Sequence, residues 1–310
     1  MADGPGQIEL PVESAGVGNH PLFGSDLLAE TIRALGIEWI ALNPGASFRG
    51  LHDSLVNHLG NREPQILLCL HEEHAVAIAH GYAKVAGRPM AAVAHSNVGL
   101  MHASMAVFNA FCDRVPLLLL GATGPVDAAR RRPWIDWIHT SRDQGALVRS
   151  FLKWDDQPAS VPAAVEALLR ATRIATTAPC GPVYVNLDAA IQEDKLAPGA
   201  GTVPAVARYA PPTPAAPDPA ALALAVAALK AARAPVMTIG RVSRDAGDWA
   251  RRVALAEALG LRVITDLKVG AGFPTDHALH VGEPGMYPGE AALATLREPG
   301  RLLPHRRPGP

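Results

Sequence analysis

Glu72 is the residue from which chemistry is most readily argued. It lies in Cys69-Leu70-His71-Glu72-Glu73-His74-Ala75, where an apolar run over 66–70 gives way to a small-residue stretch continuing through Gly81-Tyr82-Ala83. A glutamate at the end of a strand buried on both faces is costly unless it is paired or keeps its proton, so a proton can be held there for a purpose. The plainer alternative is a carboxylate that answers the free N–H groups of a helix N-terminus. Asn43-Pro44-Gly45-Ala46-Ser47 and His95-Ser96-Asn97-Val98-Gly99 follow strand-like runs in the same way. In a parallel sheet ligands gather outside the carboxyl ends of the strands, which makes both positions candidates. Gly45 gives the first turn backbone freedom and Pro44 stiffens it, although an ordinary βα turn has the same look. His95 suits proton transfer because imidazole titrates near neutrality, a structural hydrogen-bonding histidine being the alternative. Gly99 is read as preceding a helix whose free N–H groups could face an anion.

His71, His74 and His80 do not have the H-E-x-x-H spacing and no third ligand is evident, so no metal site is expected. The stretch 121–145 is long for a loop and carries Arg130, Arg131, Arg132, Trp134, Trp137, His139, Arg142 and Asp143. Its tryptophans beside arginines suit an interface or a substrate-facing wall, or a surface excursion that packs on its own domain. No G-x-G-x-x-G, Walker or G-x-S-x-G pattern is present, so a dinucleotide fingerprint, an NTPase and a serine hydrolase have no support.

These positions need elements to hold them. An apolar stripe of Leu27, Leu28, Ile32 and Leu35 predicts a helix from Ser25, capped by Ser25 or Asp26 and ended by Gly36. Strands are then expected over 39–42, 65–70, 90–94, 116–120 and 183–187. Helices are expected over 51–59, 73–85, 101–111 and 161–172. Short continuous apolar strands alternating with helices mean a parallel sheet covered on both faces, a three-layer α/β domain. Residues 193–219 are rich in Pro and Ala and read as an extended linker crossing a surface. A second α/β unit follows, with helices over 220–232 and 249–259 and strands over 236–239 and 262–265. The expected organisation is a loose arm over 1–20, a first domain over 21–192, the linker, a partial second domain over 220–298, and an atypical tail over 299–310. The tail's Arg301, His305, Arg306, Arg307 and prolines cannot continue a sheet, so the second domain is expected to be truncated.

At 310 residues the chain can bury two cores. Its 28 basic and 29 acidic residues nearly cancel, so no nucleic-acid partner is expected. No run reaches 18 uninterrupted apolar residues, and no membrane span or secretory signal is expected. Cys69, Cys112 and Cys180 are scattered, which fits a reducing cytoplasm better than a disulfide framework.

Taken together, the Pro-Gly turn (Asn43-Pro44-Gly45), the pair His71-Glu72 with Gly81-Tyr82-Ala83, the loop Ser96–Gly99 before Asn109-Ala110, the run Asp113-Arg114-Val115-Pro116-Leu117 with Gly121, and Gly181-Pro182-Val183-Tyr184-Val185 with Asp188 resemble one family. It is the thiamine diphosphate enzyme superfamily of acetolactate synthase, benzoylformate decarboxylase and pyruvate decarboxylase. The resemblance covers residues 20–190. It implies a three-layer pyrimidine-binding domain followed by a truncated, Rossmann-like central domain.

The resemblance further implies that Glu72 hydrogen-bonds the cofactor's aminopyrimidine ring, where a carboxylic acid in a dry site can shuttle a proton. The implied substrate is a 2-oxo acid, decarboxylated or joined to a second carbonyl compound. Asn43, Pro44, Gly45, Asn97 and Gly99 are the implied cofactor-side residues, and Ala46, Ser47 and His95 the substrate-facing ones. His95 matches a proton-transferring histidine of the benzoylformate decarboxylase branch, whereas Ala46 stands where that branch places a serine, with Ser47 one step along. The family holds the diphosphate and Mg2+ through G-D-G followed by an asparagine, and these 310 residues contain no such pair. The implied partner is therefore a second copy or a complementing chain that brings a diphosphate-binding domain, and the isolated chain is expected to be inactive. FAD, bound by part of the family, has no firm signature in the second unit. The rival expectation is a non-catalytic binding or regulatory subunit that pairs with such an enzyme.

Overall fold

A computed structural model describes residues 9–12, 21–197, 199, 201–282 and 287–297. Most of the expected arm and all of the expected tail lie outside the described residues. The chain divides into two compact units, Met1–Thr213 and Pro214–Pro310.

The first unit is a six-stranded parallel sheet in the order β2-β1-β3-β4-β6-β5. Its strands are β1 (Trp39–Leu42), β2 (Gln65–Leu68), β3 (Ala91–Ala94), β4 (Leu117–Thr123), β5 (Trp154–Asp156) and β6 (Pro182–Asp188). Around them lie helices α1 (Gly24–Ala34), α2 (Arg49–Asp53), α3 (Glu72–Ala86), α4 (Ser96–Asp113), α5 (Val161–Thr176) and α6 (Ala189–Glu193). Side-chain alternation along β4 sorts the core into two layers. Leu118 and Leu120 join Leu28, Ile32, Leu55 and Leu168 beneath α1, α2 and α5. Leu117 and Leu119 join Ala75, Ala79, Leu100, Ala103 and Val107 beneath α3 and α4. The alanines on that second face let the two helices sit close to the sheet and to one another.

The helix expected over 51–59 is divided between two pieces and starts earlier than expected. A 3-10 turn over Ala46–Phe48 leads into α2, and a π-helical turn over Ser54–His58 ends it. The strap after α6 is not free chain. Lys195 bridges Phe23, Leu196 N–H donates to Leu22 O at 2.8 Å, and Val203, Val206 and Tyr209 pack on the first core. Much of the stretch over 193–219 therefore crosses the first unit's surface.

The second unit holds α7 (Pro219–Ala231), β7 (Val236–Ile239), α8 (Ala246–Leu259), β8 (Arg262–Thr265), β9 (His280–Gly282) and α9 (Glu290–Arg297). Its strands form a parallel sheet in the order β7-β8-β9, with Ile239, Ala256, Leu261, Val263 and Phe273 as its core.

Candidate functional site

Three loops open at one edge of the first sheet because the strand register brings them level. Leu42, the last residue of β1, pairs with Leu68 of β2 and with Val93 of β3. The chain goes from β1 outward to β2 and then back across to β3, so the sheet order reverses beside β1. The crevice at such a reversal is where open α/β sheets bind ligands. Asn43–Ser47, Cys69–Glu72 and His95–Gly99 all leave from it.

Two glycines show how tightly the loops meet. A Cβ at Gly45 would stand 2.4 Å from His95 Cγ, so only a glycine lets the imidazole lie over the first turn. A Cβ at Gly99 would stand 2.9 Å from Glu72 Oε1, so Gly99 gives the glutamate its place. The sequence expectation put Gly99 ahead of the helix. The structure begins α4 at Ser96, with Gly99 in the first turn and its N–H donating to His95 O at 2.6 Å, so that N–H is not open to an anion.

Glu72 is 6% exposed. It is the first residue of α3, yet it does not cap the helix: His71 is the N-cap, and its Nδ1 accepts from Glu73 N–H at 3.1 Å. Among the described residues no hydrogen bond reaches the Glu72 carboxylate. The nearest cation-capable atom is His102 Nδ1, 3.8 Å from Oε2. The carboxylate is largely enclosed yet its oxygens still reach solvent in the crevice, so it is open to a ligand rather than spent on capping its own helix.

His95 is fixed by Ser47. Ser47 Oγ accepts from Ser96 N–H at 3.2 Å and lies 2.9 Å from His95 Nδ1. With the hydroxyl nearly buried, the arrangement that satisfies every group has its O–H donate to Nδ1, leaving the ring proton on Nε2. Burial first, and then His139 with its ring 4.7 Å away, hold His95 below its ordinary value of 6.5, while Glu72 opposes the shift. The imidazole therefore stays neutral at neutral pH. Ser96, wholly buried, adopts φ +44°, a strained backbone for a residue with a Cβ. It is thus Ser47, not Ala46, that engages His95. Ala46 and Pro44 are exposed, and Asn97 Oδ1 is taken up locally by Ser96 Oγ and Val98 N–H.

Sequence reasoning did not identify three contributors. Gln192 of α6 donates to Ser47 O at 3.1 Å and accepts from Leu51 N–H at 3.2 Å, bracing the first turn. His139 was noticed in the long loop but not as a neighbour of His95. His102 lies mid-helix with no local signal. The loop's tryptophans, Trp134 and Trp137, are about three-quarters exposed and do not line the crevice. A separate cleft of ≈ 540 Å³ lies between residues 9–12 and α2, bordered by Pro44, Gly45 and Ala46, and neither Glu72 nor His95 lines it.

Comparison with known proteins finds relatives for this chain. Residues 23–148 match the family described as thiamine pyrophosphate enzyme, N-terminal TPP binding domain. The chain is 27% identical over 271 residues to a probable acetolactate synthase from Oryza sativa, covering 85% of this chain and 38% of that protein. It is also 27% identical over 294 residues to the acetolactate synthase large subunit from Corynebacterium glutamicum, covering 91% of this chain and 44% of that protein. It is 28% identical over 217 residues to benzoylformate decarboxylase from Pseudomonas aeruginosa, covering 70% of this chain and 40% of that protein. The X-ray structure of a Mycobacterium smegmatis protein described as a thiamin diphosphate-dependent enzyme superposes with a TM-score of 0.71 at 25% identity, over 84% of this chain and 48% of that one. The chain thus spans less than half the length of these relatives.

Proposed function

We propose, from the match of residues 23–148 to the thiamine pyrophosphate enzyme N-terminal domain, that this chain is of that family and that its crevice receives the pyrimidine half of thiamine diphosphate in an enzyme acting on 2-oxo acids. The observation that carries the reading is Glu72: buried, without a hydrogen bond among the described residues, and seated on a glycine that makes room for it. Such a carboxyl suits a ring that presents both a nitrogen acceptor and an amino donor. The cofactor, when bound, supplies the electron sink that lets a 2-oxo acid lose its carboxylate.

The protein's part is binding and proton control. Glu72 faces the pyrimidine and can exchange a proton with a ring nitrogen. Ser47 and Gly45 fix the His95 ring, and its Nε2–H, on a neutral imidazole, can donate to the oxygen of a substrate carbonyl. The diphosphate and Mg2+ are assigned to residues outside these 310 or to another chain, since no G-D-G followed by asparagine is present. A second copy or a complementing chain finds a ready surface on α3 and α4, where Ile78, Val98, Met101, Met105 and Phe108 are exposed together.

The test uses this chain as it is. NMR titration with thiamine, or with its free aminopyrimidine, should shift the resonances of Glu72, Gly99 and His95 at millimolar ligand. Glu72→Gln should weaken that binding by about tenfold, the loss of one well-placed hydrogen bond worth roughly 0.5–1.5 kcal/mol. Shifts confined to other residues, or equal binding by Glu72→Gln, would remove the assignment and favour a non-catalytic pairing role.

A further inference from the structure

The sequence left His71 without a third metal ligand, but the fold brings one from α4. His102 Nδ1 stands 3.8 Å from Glu72 Oε2, and the His102 ring stacks on the His71 ring with centroids 4.9 Å apart and planes 6° apart. One ligand atom from each of His71, Glu72 and His102 lies within 4.8 Å of the other two. We infer that these three side chains form a site for a divalent transition-metal ion of the Zn2+ class.

The donor set argues for it. Two imidazole nitrogens and one carboxylate oxygen, with a fourth position open to water, make a four-coordinate zinc site. Imidazole favours zinc and its neighbours over Mg2+ or Ca2+. The Glu72 carboxylate is more than nine-tenths buried and accepts no hydrogen bond among the described residues, so its lone pairs are available. Ligand bonds of about 2.0–2.2 Å place tetrahedral donors about 3.3 Å apart. An imidazole lone pair lies in its ring plane, so ligation asks the stacked His71 and His102 rings to turn out of their parallel arrangement, which His102, half exposed on α4, is free to do.

His71 supplies a reporter. Its Nδ1 accepts from Glu73 N–H. Ligation through Nδ1 takes that lone pair, and ligation through Nε2 puts the ring proton on Nδ1. By either route Glu73 N–H loses its acceptor when an ion binds. A carboxylate bound to the ion cannot also hold a pyrimidine proton, so Zn2+ and the pyrimidine compete; this consequence rests on the reading of Glu72 given above.

Zn2+ and Co2+ titrations of the full 310-residue chain test the site in wild type, His102→Ala and His74→Ala. His74 is exposed, with its ring 5.6 Å from His71, and lies outside the proposed ligand set. Wild type should bind one Co2+ with the visible bands of a four- or five-coordinate ion, displaced by Zn2+, and the Glu73 amide resonance should move. His102→Ala should lose at least about tenfold in Zn2+ affinity, as metal sites do when even a supporting group is removed, while His74→Ala should not. Equal Zn2+ affinity in wild type and His102→Ala overturns the site. If His102→Ala does not fold by circular dichroism, an unmoved Glu73 amide at saturating Zn2+ in wild type overturns it instead. No readout involves the pyrimidine: Zn2+ binding without pyrimidine binding leaves the metal site standing and removes the reading of Glu72.

Discussion

Among the individual residues, His95 carries the plainest pH dependence. Its folded-state proton affinity lies below the ordinary value of 6.5, through burial and the neighbouring His139. The unfolded chain therefore takes up a proton first as pH falls. The stability held above 6.5 declines as pH drops through that value, and levels off once the folded imidazole is also protonated. His139→Ala removes the like-charge neighbour and admits water, so the His95 titration seen by NMR should move up toward 6.5. An unchanged titration would mean that His139 does not act on it. The sequence revealed Glu72 and His95 because strand-ending polar residues stand out against apolar runs. Yet β2 is an edge strand ending at Leu68, with Leu68 and Leu70 exposed, not the doubly buried strand over 65–70 that was expected. The sequence could not reveal His102 or His139, which reach the crevice only through the packing of α4 and the folding of a loop that has no periodicity.

The elements that carry the crevice were legible wherever continuous apolar runs met capping chemistry. Trp39–Leu42 and Arg262–Thr265 are strands with the expected bounds. Trp154–Asp156 escaped notice because an edge strand with two aspartates has no apolar run to read. The five-residue α6 is too short to show a helical period, yet it supplies Gln192, the brace of the first turn. Gln192→Ala leaves Leu51 N–H buried without its acceptor, which costs about 1–3 kcal/mol. Urea denaturation should show that loss as a lower midpoint with an unchanged slope. A midpoint equal to wild type would show that the turn holds itself. Because the same turn carries Ser47 and Gly45, Gln192→Ala should also loosen the Ser47–His95 bond.

For the molecule as a whole, the first unit extends past its last helix. Val203, Val206 and Tyr209 lie against its core, so a chain ending at residue 193 should be less stable than one ending at 213. The loss expected for three partly buried side chains is about 1–3 kcal/mol, checked by comparing urea midpoints of the two chains. Equal midpoints would make the strap a passive tether. The crevice also has an order of assembly. Its three loops come from β1, β2 and β3, neighbours along the chain as well as in the sheet, and Ser47 meets His95 across only 48 positions. The Gln192 bonds to Leu51 and Ser47 close over 141 and 145 positions. Non-local closures come late in folding because their entropy must be overcome before they add stability. The crevice is therefore expected to form before its clamp, with the Gln192 brace added as a late step. In refolding kinetics Gln192→Ala should leave the folding limb of the chevron in place and raise only the unfolding limb.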